Sequence, residues 1–174
     1  NTSSPTPLDV WTPSDEFIKP QIADQVAIGY FKNFKDDMYT LEAEAFYKTI
    51  KNRIDYIDGA NLIANEAIEQ VILNGRMRSY GLELMLRKNE GKLTGWISYT
   101  LSKSQQQTPG RNDSETGINN GEWYNSLYDK THNLAITSSY TLNKKWSFGA
   151  NFALQTGQPV TYPTAYYEYQ NINV

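Results

Sequence analysis

From Ser79 to Ser104 the chain alternates apolar and polar residues twice over, with a turn between the two runs. Tyr80, Leu82, Leu84 and Leu86 alternate with Gly81, Glu83, Met85 and Arg87. Beyond Asn89-Glu90-Gly91, Leu93, Gly95, Ile97, Tyr99 and Leu101 alternate with Thr94, Trp96, Ser98, Thr100 and Ser102. A period of two sends the two sets to opposite faces of a strand, so this stretch predicts a β-hairpin. Gly91 can take the positive φ that a tight turn needs. Each arm is long enough to cross a bilayer, which takes about 9–11 tilted residues. Strands of water-soluble proteins more often stop at about 5–6.

The same pattern predicts four further strands. Gln21–Phe34 sets Val26, Ile28 and Tyr30 against Gln25, Ala27, Gly29 and Phe31. Met38–Arg53 sets Tyr39, Leu41, Ala43, Ala45 and Tyr47 against Thr40, Glu42, Glu44, Phe46 and Lys48. Its LEAEAFYK core also has high helix propensity; the unbroken alternation and the hairpin spacing favour a strand. Thr131–Leu142 carries Leu134, Ile136 and Tyr140 on one face, and Asn133, Ala135, Thr137, Ser139 and Thr141 on the other. Trp146–Gln155 opposes Trp146, Phe148, Ala150, Phe152 and Leu154 to Ser147, Gly149, Asn151, Ala153 and Gln155. Residues 1–20, with Pro5, Pro7, Pro13 and Pro20, read as extended loop, because proline cannot donate to a ladder. Ile54–Gly75 is a long connection in which NEAIEQVI predicts a short helix capped by Asn65, with Ile68, Val71 and Ile72 on one side. Lys103–Lys130 is a second long, polar connection, and a Tyr-rich polar tail follows Gly157, Pro159 and Pro163.

The connections therefore run short, long, short, long, short. A transmembrane barrel sorts its loops this way, with short periplasmic turns and longer extracellular loops. The two faces agree. One row of each strand is apolar, and a soluble sheet would need a helix or second sheet over that face. The expected fold is all-β: an antiparallel up-and-down meander of about six long strands, part of a transmembrane β-barrel.

Composition changes the picture little. The 174 residues suggest one domain. Sixteen Lys plus Arg against nineteen Asp plus Glu leave a net charge of −3 and no basic stripe for nucleic acid. With no cysteine there is no disulfide framework and no thiolate metal site. The mean hydropathy of −0.62 does not exclude a membrane, because alternating barrel strands average out in such an index. No run of 18 apolar residues forms a transmembrane helix, and the first residues show no signal-peptide pattern.

Candidate chemistry is sparse. His132 is the sole histidine, so a positional or hydrogen-bonding role outweighs catalysis. Glu42, Glu44, Lys48, Glu83, Arg87, Trp96 and Asn151 fall on the polar faces. Paired carboxylates can serve acid/base work, but a solvated, charge-mixed lumen wall is the better reading. Asn112, Asp113 and Glu115 do not match an EF-hand spacing. Phe34, Tyr39, Tyr140 and Trp146 lie near short turns and fit an interfacial girdle. Trp123, Tyr124, Tyr128, Tyr162, Tyr166, Tyr167 and Tyr169 lie in or beside long loops. They could stack on a ligand or pack the loops together, and the first four are the ligand-contact candidates.

Several segments together resemble a family. DVWTPSDEFIKPQIADQ leading into IGYFKNF, then YGLELMLRKNEGKLTGWISYTLSKS, YDKTHNL and TGQPVTYP, resemble the late barrel region of TonB-dependent outer-membrane receptors, most similarly the Bacteroidetes type. The resemblance covers nearly the whole chain. It implies a 22-stranded barrel with an N-terminal plug, in the outer membrane of a Gram-negative bacterium, importing a bound nutrient with energy relayed by TonB. Residues 1–174 would then be a partial barrel domain, without plug, TonB box, early strands or final strands. The implied partners are the lipid bilayer, TonB through the missing N-terminal region, and a nutrient ligand; no cofactor or enzymatic activity is implied. A soluble antiparallel sheet module binding carbohydrate or protein is the alternative, and it would cover its apolar rows with protein.

Overall fold

The computed structural model describes residues 14, 18–57, 68–160, 168–169 and 172–173. Its strands are β1 (Ile22–Phe34), β2 (Tyr39–Tyr56), β3 (Ile72–Lys88), β4 (Leu93–Gln107), β5 (Tyr124–Asn125), β6 (His132–Thr141), β7 (Ser147–Gln155), β8 (Glu168–Tyr169) and β9 (Ile172–Asn173). Six of them form an antiparallel meander in the order β1-β2-β3-β4-β6-β7, and β5 pairs with β4 beside that path. The sheet thus has seven strands where the sequence predicted six, with β8 and β9 a separate pair.

The register confirms the alternation. Leu41, Leu86, Ile97, Ile136 and Phe152 stand opposite one another across five strands, as do Ala43, Leu84, Tyr99, Leu134 and Leu154. Antiparallel partners share a face, so the apolar rows form one continuous surface. LEAEAFYK is strand, its helix propensity overridden by pairing on both sides.

Three tight turns join the strands at one end of the sheet. Lys35, Asp36 and Asp37 take three successive positive φ values, and Met38 N–H donates to Lys35 O at 3.1 Å. Gly91, at φ 98, makes the turn after β3. Asn143 closes the third turn, its Oδ1 accepting from the Lys145 and Trp146 amides at 2.9 and 3.1 Å. Asn89 ties the first two turns together, with its amide on Met38 O and its Nδ2 on Asp37 O, both at 2.8 Å.

The long-loop end differs from expectation. β2 continues to Tyr56 and β3 begins at Ile72, because a bulge at Asn52 (φ 57) inserts one residue and lets Ile54 and Tyr56 pair with Asn74 and Ile72. In the described part of the expected helix, Ile68–Gln70 is a 3-10 turn and Ile72 is in the ladder. Asn65, Tyr162, Tyr166, Tyr167 and most of residues 1–20 lie outside the described residues. β4 runs on to Gln107, so Lys103–Gln107 is strand and not loop.

The buried apolar side chains among the described residues are Ile18, Ile72 and Leu73, all at the long-loop end. The apolar rows are open instead: Leu84 is 37 % exposed, Ile97 46 % and Phe152 54 %. On β4 the polar row Thr94–Ser102 is the more enclosed, while Leu93, Ile97 and Leu101 are exposed. That inverts the order of a water-soluble sheet.

Candidate functional site

Two aromatic levels frame the apolar rows. At the short-turn end Phe34 and Tyr39 stand opposite each other, with Lys32 5.1 Å from the Phe34 ring and Lys35 and Lys88 both 5.8 Å from the Tyr39 ring. Tyr140, between Leu93 and Phe148, belongs to the same end. At the other level Tyr47 stacks on Tyr80 with ring centroids 6.3 Å apart. Tyr39 to Tyr47 is eight residues of one strand, ~26 Å along it at ~3.3 Å per residue. With the usual barrel tilt of ~35–45° this spans ~20 Å, close to the ~25 Å apolar band of an outer-membrane barrel.

The opposite face carries the polar candidates. Glu44 stands directly opposite Glu83, Glu42 opposite Met85, and Lys48 opposite Ser79. Arg87, Trp96 and Asn151 fall in one row that also contains Thr40 and Thr137. All seven residues therefore share one side of the sheet. Phe46 lies opposite Gly81, where a Cβ would come within 3.0 Å of the Phe46 ring and 2.6 Å of Leu101 O, so the ring needs a glycine beneath it.

At the long-loop end this face bears a network that alternation alone did not reveal. The bulge turns Asp55 onto it, opposite Leu73. Asp55 Oδ2 accepts from Gln106 Nε2 at 2.8 Å and from Tyr124 OH at 2.9 Å. Tyr124 OH also meets Thr108 Oγ1 at 2.7 Å. Burial pushes the Tyr124 phenol pKa up, and the facing Asp55 carboxylate adds to the rise while Thr108 opposes it. A cleft of about 200 Å3 opens beside the network, lined by Arg53, Asp55, Gln106, Tyr124, Tyr128 and Val160. β5 presents Tyr124 by pairing with Gln106, and a two-residue strand leaves no periodic signal in a sequence.

The other loop candidates divide. Tyr128 is exposed on the cleft rim, whereas Trp123 lies over Arg76 and Arg78, 5.4 and 4.0 Å from their guanidinium carbons. Arg76 and Arg78 belong to the apolar-row face, which takes Trp123 away from the cleft. His132 hydrogen-bonds through Nδ1 to Tyr99 OH at 2.8 Å. Asp129, 4 % exposed, accepts from Ser104 N–H at 2.8 Å and pairs with Lys103 Nζ at 2.9 Å, which pins the second long loop to β4. In the same loop Glu115 is held by Arg111, and Asn112 Oδ1 accepts from the Ser114 amide and hydroxyl.

Long antiparallel strands, an uncovered apolar band between two aromatic levels, and loops sorted by end define the wall of a transmembrane β-barrel. The profile described as TonB dependent receptor-like, beta-barrel matches residues 2–173. The chain belongs to that family of outer-membrane receptor barrels, which work with TonB. No curated protein and no solved structure matches it.

Proposed function

We propose that the chain forms part of the barrel wall of a TonB-dependent receptor of the Bacteroidetes type that imports a nutrient ligand across the outer membrane. In this reading the remaining strands of the barrel pair with the open edges of β1 and β7, and the plug fills the interior. The observation that carries this reading is the apolar band: among the described residues its rows are exposed, and they are bounded by aromatics at both ends. A soluble module would have to cover that band.

In this reading Glu42, Glu44, Lys48, Glu83, Arg87, Trp96 and Asn151 line the aqueous interior. The cleft at the long-loop end opens on the same face, and Tyr124 and Tyr128, which line it, are its proposed ligand contacts. Tyr162, outside the described residues, is proposed as a further ligand contact from its place in the sequence alone. The long loops face outward and the three short turns face the periplasm.

Orientation and spanning are tested together by single cysteines in the intact receptor. Asp113→Cys, in the exposed second loop, should react with an impermeant maleimide on whole cells. Lys144→Cys, in the third short turn, should react only after lysis. The opposite pattern inverts the orientation, and equal labelling of both on whole cells removes the spanning claim.

A further inference from the structure

The apolar-row face does not end at the Tyr47–Tyr80 level. Two and four residues further along β3, on the same face, stand Arg78 and Arg76. Lys51 of β2 is directly opposite Arg76. Like charges facing each other across a ladder are unfavourable, and among the described residues no carboxylate pairs with Lys51, Arg76 or Arg78. The arginines are instead oriented by neutral groups. Arg76 Nε donates to Gln107 Oε1 at 2.8 Å, Arg78 Nε and Nη2 donate to Gln105 Oε1 at 3.1 and 2.8 Å, and Trp123 covers both guanidinium planes. The next cation on this face, Lys103 opposite Tyr80, already has its partner in Asp129.

Among the described residues three cations thus sit on the lipid-facing side with one carboxylate near them, Asp24, which stands opposite Thr49 in the row of Arg78. Asp24 forms no ion pair with any of the three, so the cluster keeps a net positive charge ~7–13 Å along the strand beyond the aromatic level at ~3.3 Å per residue. That is the depth of headgroups and not of acyl chains. Guanidinium donors held in a plane suit the oxygens of a phosphate, and clustered basic residues at a bilayer border bind anionic headgroups. We propose that Lys51, Arg76, Arg78 and Trp123 form a binding site for the phosphorylated headgroup of an outer-leaflet lipid. The proposal rests on the membrane reading above and adds a ligand class on the outside of the wall, away from the transport interior.

The test reconstitutes the intact receptor into phosphatidylcholine vesicles containing either phosphorylated or dephosphorylated lipid A. Flotation reports insertion, and native mass spectrometry counts retained lipid. The wild-type receptor should insert in both and retain the phosphorylated lipid preferentially. Arg76→Gln/Arg78→Gln should insert equally and retain it about tenfold less. Arg76→Lys/Arg78→Lys should fall between, since charge remains but the planar fork is lost. Insertion of the wild type with no preference for the phosphorylated lipid, or full retention by the glutamine variant, overturns the headgroup site and leaves the barrel reading intact. Failure to insert in any vesicle overturns the membrane reading, and the site with it. Displacement of the lipid by inorganic phosphate at equal concentration overturns the assignment to a headgroup.

Discussion

Leu84 and Thr100 make the sharpest contrast between the two faces. Leu84 is four residues from Lys88, which stands level with Tyr39, and four from Tyr80, level with Tyr47; it therefore marks the middle of the apolar band. Its neighbours across the ladder are Ala43 and Tyr99. An arginine on the lipid face at the midplane costs roughly 2–4 kcal/mol. Thr100, on the other face, stands opposite Glu83, which stands opposite Glu44. An arginine there would meet a like-charged carboxylate pair, and an opposite-charge cross-strand pair contributes about 0.2–1 kcal/mol. Leu84→Arg is therefore expected to destabilise the receptor by at least about 2 kcal/mol more than Thr100→Arg, some thirtyfold in the folding equilibrium constant. Thr100→Arg itself should be neutral or mildly stabilising. Leu84→Ala separates the loss of the leucine side chain from the burden of the charge. The assay is reversible denaturant unfolding of the intact receptor in bilayers, with all variants measured at one pH and salt concentration. Equal destabilisation by the two arginines, or a larger effect at Thr100, would refute the assignment of faces.

Two further outcomes follow from close contacts. Gly81→Ala places a Cβ 2.6 Å from Leu101 O and 2.8 Å from Ser102 Cβ, so it should destabilise the same barrel by about 1–3 kcal/mol, and an unchanged unfolding midpoint would contradict the packing of Phe46 over β3. Glu115 is held to a pKa of about 2, first by its side-chain hydrogen bond to Arg111 and then by the Arg111 amide. Its folded value lies below the ordinary ~4.3, so the loop contact is fully present above that pH and is lost as pH falls toward the folded value. Amide exchange protection at Arg111 should decline across that window in the wild type and lose its pH dependence in Glu115→Gln; flat wild-type protection would contradict it.

The meander was legible because its signal is strictly local. Each strand from Gly29 to Lys48, and from Ser79 to Leu101, obeys a period of two, and Gly91 and Asn143 mark turns whose chemistry is visible in a few letters. What escaped depends on distant partners. Asn52 in a left-handed conformation shifts the parity of β2 by one, so the alternation breaks after it and residues 54–56 read as loop although they pair with β3. The IEQVI segment has helical spacing, but Ile72 gains more by pairing with Tyr56. Gln105-Gln106-Gln107 looks like a polar linker until β3 supplies Arg78 and Arg76 as partners for the outer two glutamines. Of the candidate residues, the polar-face set follows directly from alternation. The Asp55–Tyr124 network does not, because 69 residues separate its members.

The central claim is that one face of this sheet meets lipid and the other meets water. Spin labels placed singly at Leu82, Glu83, Leu84, Met85 and Leu86 in the intact receptor, reconstituted in vesicles, test it most directly. Collision with oxygen, which concentrates in lipid, and with a water-soluble nickel chelate is measured at each site. The account predicts a period of two: oxygen contact high at Leu82, Leu84 and Leu86, greatest at Leu84, and nickel contact favoured at Glu83 and Met85. Uniform accessibility along the five sites, or oxygen maxima at Glu83 and Met85, would contradict it.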